Sequence, residues 1–178
     1  SIIMEVLDHF SIPFIGLKVG LHQLKFEVDN AFFTEYENSQ VKKGKVAITL
    51  ELDKRSHMAI LDFILEGTVV TDCDRCMEDI ILPIHGKHIL HAKYSEEDME
   101  PTDEIVYIHP RLDRLNVAQY IYEYIHLSIP MIKTCESDPN ANCNEEILSR
   151  FEKEADDDGG EVKTNPIWDT LNDLNLDQ

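Results

Sequence analysis

Cys73-Asp74-Arg75-Cys76 and, far downstream, Cys135 and Cys143 are the residues whose types and spacing could do chemistry. Two remote thiol pairs can converge on one tetrahedral Zn²⁺, and four thiolates leave no coordination position for water. An ion held that way is a cross-link, not a Lewis acid. A tight turn with two residues between cysteines lets both Sγ atoms face one ion while backbone amides hydrogen-bond to the thiolates. The other use of a Cys-x-x-Cys pair is dithiol redox chemistry. That use calls for a βαβ setting in which a helix dipole lowers the thiol pKa, whereas an antiparallel hairpin surrounds this pair. His85, His88 and His91 recur every third residue on a presumed strand, so 85 and 91 share a face and 88 takes the other. Solvent-facing strand histidines are the expectation, and a mixed ligand set using one of them or His126 stays open. No Ser-His-Asp or Cys-His order is visible, and the acidic residues are too scattered to nominate a carboxylate pair. The chain therefore reads as a binding or assembly protein, not an enzyme.

The elements that must position the thiols follow from periodicity. Val46, Ile48, Leu50 and Leu52 alternate with Ala47, Thr49, Glu51 and Asp53, which assigns one strand face to a core and one to water. Met58 to Val70 is rich in aliphatic residues, with Gly67 marking a bulge or bend. Ile80 to Ala92 resumes the pattern in the opposite direction, so Cys73–Cys76 falls at the tip of a β-hairpin. Ile15 to Val28 suits a half-buried strand. Asp29 is a candidate N-cap for a short helix carrying Phe32, Phe33 and Tyr36. An acidic loop, Ser95 to Pro101, precedes a strand over Glu104 to Ile108. Val117, Tyr120, Ile121, Tyr124 and Ile125 recur at helical spacing behind Asn116 as cap, and Pro130 closes that helix. The expected fold class is α+β: an antiparallel β-meander or partly closed sheet, a packed helix at about 116–128 and a cysteine-tied C-terminal segment. Residues 1–150 make one globular domain.

Charge bounds the partners. The 178 residues carry 16 Lys plus Arg against 35 Asp plus Glu, a formal charge of -19 that opposes nucleic acid at long range. The most basic stretch runs from Val41 to Arg55. Lys42, Lys43 and Lys45 are its candidate phosphate contacts, against a plainer role as strand-edge guards. Residues 151–164 read as an acidic flexible linker and 165–178 as a short amphipathic helical tail. There Pro166 occupies the first helical position and Trp168, Leu171 and Leu174 share a face that either folds back onto the domain or, the favoured reading, docks on a partner as a tethered anchor. No apolar run approaches the roughly 20 residues of a membrane span. The residues from Ser1 to Val6 lack a basic n-region and a cleavage site, which places the chain in the cytoplasm, where thiol clusters bind metal more often than they form disulfides.

Cys73-Asp-Arg-Cys76 after a hydrophobic strand, Asn116-Val-Ala-Gln-Tyr120 with Glu123 leading into Leu127-Ser-Ile-Pro130, and Asn165-Pro-Ile-Trp168-Asp-Thr-Leu171 stand in an order that resembles the YceD family of large ribosomal RNA subunit accumulation proteins. The resemblance implies a role in large-subunit (23S) rRNA accumulation, a metal-binding and nucleic-acid-binding character and no established enzyme activity, while structural zinc on Cys73, Cys76, Cys135 and Cys143 is what the thiol spacing itself points to. The acidity of this chain fits a basic ribosomal protein or another assembly factor as partner better than it fits RNA. No small-molecule substrate is implied. A thiol redox or metal-handling protein using the Cys73/Cys76 dithiol is the alternative.

Overall fold

The computed structural model describes residues 6–157. Its centre is an open mixed sheet of five strands in the order β2-β3-β4-β5-β6: β2 (Gly20–Val28), β3 (Lys43–Lys54), β4 (Met58–Asp72), β5 (Asp79–Tyr94) and β6 (Ile105–Ile108). The first four are antiparallel neighbours, as the alternation predicts. β6 instead joins parallel to β5, from His91↔Ile105 to Tyr94↔Ile108, and β2 and β6 do not meet, so the sheet is not closed. A separate antiparallel ribbon pairs β1 (Ser11–Ile12) with β7 (Leu115–Asn116).

One sheet face is apolar because every second residue is. Val46, Ile48, Leu50 and Leu52 are buried with Leu61, Phe63 and Leu65, and with Ile80, Leu82 and Leu90 of β5. Helix α2 (Ala118–Leu127) lies over that face and buries Ile121, Tyr124 and Ile125, with the Tyr124 ring 5.2 Å from Phe63. It starts two residues later than expected. Asn116 belongs to β7, yet its side chain accepts a hydrogen bond from the Ala118 amide at 2.9 Å and so still serves the helix entrance. Asp29 caps α1 (Asn30–Thr34) by accepting from the Ala31 amide at 2.9 Å, and Tyr36, just past α1, stacks on Tyr122 at 3.9 Å.

Four expectations are corrected. Ile15–Val19 is turn, not strand: the Lys54 ammonium gathers the carbonyls of Phe14 and Leu17 at 2.7 and 2.8 Å and holds the chain in a loop before β2 starts. Gly67 is no bulge, since the register runs unbroken from Lys43↔Val70 to Lys54↔Ala59 and from Met58↔Lys93 to Asp72↔Asp79. Helix α3 (Glu145–Asp157) crosses the first residues of the expected linker. Asn144 caps it by accepting from the amides of Glu146 and Ile147, and Glu145 and Glu146 complement its N-terminal dipole. The remainder, 158–164, and the tail lie outside the described residues.

His88 is the fourth. It points to the core side, stacked on Tyr124 with ring centroids 4.6 Å apart and 3.1 Å from the Ser128 hydroxyl, while His85 takes the exposed face. Burial holds its pKa below the ordinary value of 6.5. Above that pH the ring is neutral in both folded and unfolded chains and adds no pH dependence. Below it the unfolded chain takes the proton first, so stability falls with acidification until the folded pKa is passed. Urea midpoints at about pH 7.5 and 5.5 should therefore separate, and His88→Gln should narrow the gap. An equal gap in the variant would place the acid sensitivity elsewhere.

Candidate metal centre

The β4–β5 hairpin is long, 15 and 16 residues, and pairs to its end, so its turn is carried out to the tip with the first two thiols. The turn is closed by the Cys73 amide donating to the Glu78 carbonyl at 2.8 Å and the Met77 amide donating to the Cys73 carbonyl at 2.9 Å. The Arg75 amide points at Cys73 Sγ from 3.4 Å, the amide-to-sulfur contact expected of a thiolate turn. Met77 adopts φ +62°, a left-handed conformation in which a non-glycine residue is strained.

A strap that returns from α2 brings the second pair. The Asp74 amide donates to the Lys133 carbonyl and the Lys133 amide to Asp74 Oδ2, both at 2.7 Å, while the Lys133 ammonium lies 3.1 Å from the same carboxylate. Arg75 meets Glu136 at 2.8 Å. Cys135 then opens a 3₁₀ turn (Cys135–Ser137), and the buried Asp138 carboxylate accepts from the Ile81 and Asn140 amides at 2.9 Å each, which hold its pKa down. Asn144 Nδ2 reaches Glu78 at 3.0 Å. Asp138 and Asp74 were invisible as site builders among so many acids; the one available signal was the Ser137-Asp138-Pro139 turn.

The result is a cluster in which all four Sγ atoms lie within 4.8 Å of one another, Cys76 and Cys135 at 3.6 Å. Zn–S bonds of about 2.3 Å in a tetrahedron put sulfurs about 3.8 Å apart, so the donor set fits such an ion. All four cysteines are free, and the 3.6 Å separation is far beyond a disulfide bond of about 2.05 Å. Cys73, Cys76 and Cys135 are buried and Cys143 half-buried. Burial opposes ionisation of Cys73, but the Arg75 and Cys76 amides and the Cys135 thiol outweigh it and lower its pKa to about 6. Cys135 is pushed up, by burial first and then by the sulfurs of Cys143, Cys73 and Cys76. Its hydrogen bond with Cys135 pulls Cys143 down, yet burial and the Cys76 and Cys73 sulfurs carry it up. Four thiolates cannot share this space on their own charge; a dication would let them ionise together.

The other candidates are dispersed. Lys42 ion-pairs with Asp72 and with Asp79, Lys45 sits 3.2 Å from Glu27, and Lys43 is exposed at the start of β3. Pro166, Trp168, Leu171 and Leu174 lie outside the described residues. His85, His88 and His126 are not in the thiol cluster. Among the described residues, no helix is long and apolar enough to cross a membrane.

No curated protein and no solved structure matches this chain. A family model does. Described as "Large ribosomal RNA subunit accumulation protein YceD", it matches residues 61–175, a span that starts inside β4 and takes in the hairpin tip, α2 and the strap with both cysteine groups. With more than half of its length matched, the chain belongs to the YceD family of large ribosomal RNA subunit accumulation proteins.

Proposed function

We propose that this protein is a non-enzymatic factor in assembly of the large ribosomal subunit, and that it supports rRNA accumulation by binding pre-ribosomal RNA or a ribosomal protein or assembly partner. The observation that carries this reading is the family match, because the matched span contains the whole thiol centre. Cys73, Cys76, Cys135 and Cys143 would hold a structural zinc ion, which ties the C-terminal strap to the sheet. The formal charge of -19 favours a basic protein over RNA as the direct ligand. A dithiol redox role is disfavoured by burial, since Cys73 and Cys76 are both fully covered and exchange needs access to the sulfur.

The test is retrieval from lysate by the full chain, with and without RNase, read for large-subunit RNA and ribosomal proteins. Basic ribosomal proteins should remain after RNase. Loss of every interaction would make RNA the ligand, and no ribosomal component in either arm would remove the assembly reading. Trp168→Ala should reduce retrieval and leave the melting curve unchanged; a melted domain would show that this residue serves the core. Thiols that alkylate freely in the isolated protein, without chelator, would favour the dithiol reading.

A further inference from the structure

The outer edge of β5 is closed at both ends and open in its middle. The hairpin closure pairs Cys73 with Glu78, so even-numbered residues of β5 hydrogen-bond to β4 and odd-numbered amides face away from it. At the tip end Ile81 donates to Asp138, and Pro83 has no amide to offer. At the other end His91 donates to the Glu104 carbonyl, where β6 begins. Among the described residues, the amides of His85, Lys87 and Ile89 are left without a partner along roughly 14 Å of strand. Lysine guards such edges, but the Lys87 ammonium is drawn onto Asp62 at 2.9 Å. On the opposite edge strand, β2, Lys25 makes no ion pair among the described residues.

A groove of about 520 Å³ runs beside this gap, lined by His88 and Ile89 of β5, Tyr124 and Leu127 of α2, and the acidic pair Asp103 and Glu104. The end of α2 is brought close by Gly86, since any Cβ there would collide with the Ser128 hydroxyl. From Ser128 the chain passes to Lys133 at the hairpin tip and leaves Met131 97% and Ile132 74% exposed on the way, beside an equally bare Leu127 at 70%. Between Ser95 and Glu104 there are six acidic residues and no basic one. Unpaired amides, apolar wall and acidic end together describe a seat for an added strand.

We propose that this edge binds an extended basic and apolar segment of a partner protein, which adds to the sheet beside β5 with alternate side chains against Tyr124 and Leu127. Charge selects the occupant. A second copy brings a formal charge of -19 to the same acidic end, and residues 158–178 of this chain carry five acidic residues and one basic. The inference deepens the assembly reading and rests on it for the source of the partner.

The probe is a fluorescein-labelled peptide of alternating valine and lysine, about eight residues long, titrated into the full chain. Binding should slow hydrogen exchange at His85, Lys87 and Ile89. Ile89→Pro removes an outward amide, which Pro83 already lacks on the same strand, together with the Ile89 side chain that lines the groove, and should weaken binding about tenfold or more. Asp103→Lys with Glu104→Lys should weaken it most at low salt. Equal binding of a valine–glutamate peptide, or undiminished affinity in Ile89→Pro, would overturn the proposal. So would slow exchange of those three amides in the free chain, because this chain or a second copy would then already occupy the edge. That exchange measurement uses the unaltered protein and holds even if the proline variant fails to fold. If Ile89→Pro loses the peptide but still retrieves ribosomal components, the edge is not the assembly contact. If the unaltered chain binds the peptide and retrieves none, the assembly reading fails and the edge stands.

Discussion

With zinc on the four sulfurs as proposed, Cys135→Ser will lower the metal content of the purified protein from about one ion per chain to near zero, and lower stability by roughly 3 kcal/mol or more. Cys135 is the sulfur closest to the hairpin pair, 3.6 Å from Cys76, and it is buried, so serine leaves three thiolates around a neutral hydroxyl with no solvent to replace the lost ligand. For a chain of this size that loss is a fall in melting temperature of roughly 6–12 °C. The sheet should survive it. Its apolar face is completed by α2 and by Phe10, Ile12 and Phe14, which bury it without help from the ion. What loosens is the strap, because Asp74, Asp138 and Glu136 hold it by hydrogen bonds and an exposed ion pair of modest strength. Faster exchange should be confined to about 129–151 and the turn at 73–78. Cys143→Ser should cost less, since Cys143 is half-buried and a water could take its place on the ion. Elemental analysis and a melting curve decide the matter: a variant at 135 with unchanged zinc and unchanged melting would mean that the four sulfurs are not a metal cross-link.

The convergence of the sulfurs was legible because it depends on two local patterns. A Cys-x-x-Cys between runs of period-two apolar residues must sit at a hairpin end, and a second thiol pair directly after a proline-stopped helix has a short path back to it. Strands β3, β4 and β5 were legible for the same reason, since a one-residue slip would turn Leu50, Phe63 and Leu90 out to water. The failures are non-local. Phe10 and Ile12 are core residues, but the two-residue strand that places them pairs with Leu115 and Asn116, more than a hundred positions away, and carries no periodicity of its own. The parallel addition of β6 to β5 and the core-side position of His88 depend on where α2 comes to rest. Asp138 is decisive through its position opposite the Ile81 amide, and one carboxylate among 35 acidic residues gives no sign of that.

Gly67→Ala should destabilise the protein by about 3 kcal/mol, opposite in sign to the ordinary effect of alanine in a strand, where relief of backbone entropy gains about 0.4–1 kcal/mol. A Cβ at 67 would collide with the Lys45 carbonyl oxygen and stand 2.7 Å from Val46 Cα and 3.0 Å from the Lys45 carbonyl carbon. These are backbone atoms of the neighbouring strand, and no rotamer change moves them. Relief requires β3 to part from β4 around Val46↔Gly67, and Gly44 on β3 is hemmed in close by. A Cβ at Gly44 would lie 2.9 Å from Cε2 of the buried Phe33 of α1, so β3 cannot yield toward the helix without disturbing Phe33. Two glycines on adjacent strands thus set how closely β3, β4 and α1 pack, which is why an apolar run tolerates Gly67 without any bulge. Gly16→Ala is the control: its nearest neighbour would be the Pro13 carbonyl at an unstrained 3.6 Å. In urea titration the midpoint should drop for Gly67→Ala with unchanged slope and stay level for Gly16→Ala. A neutral or stabilising Gly67→Ala would show that the strands can separate freely there.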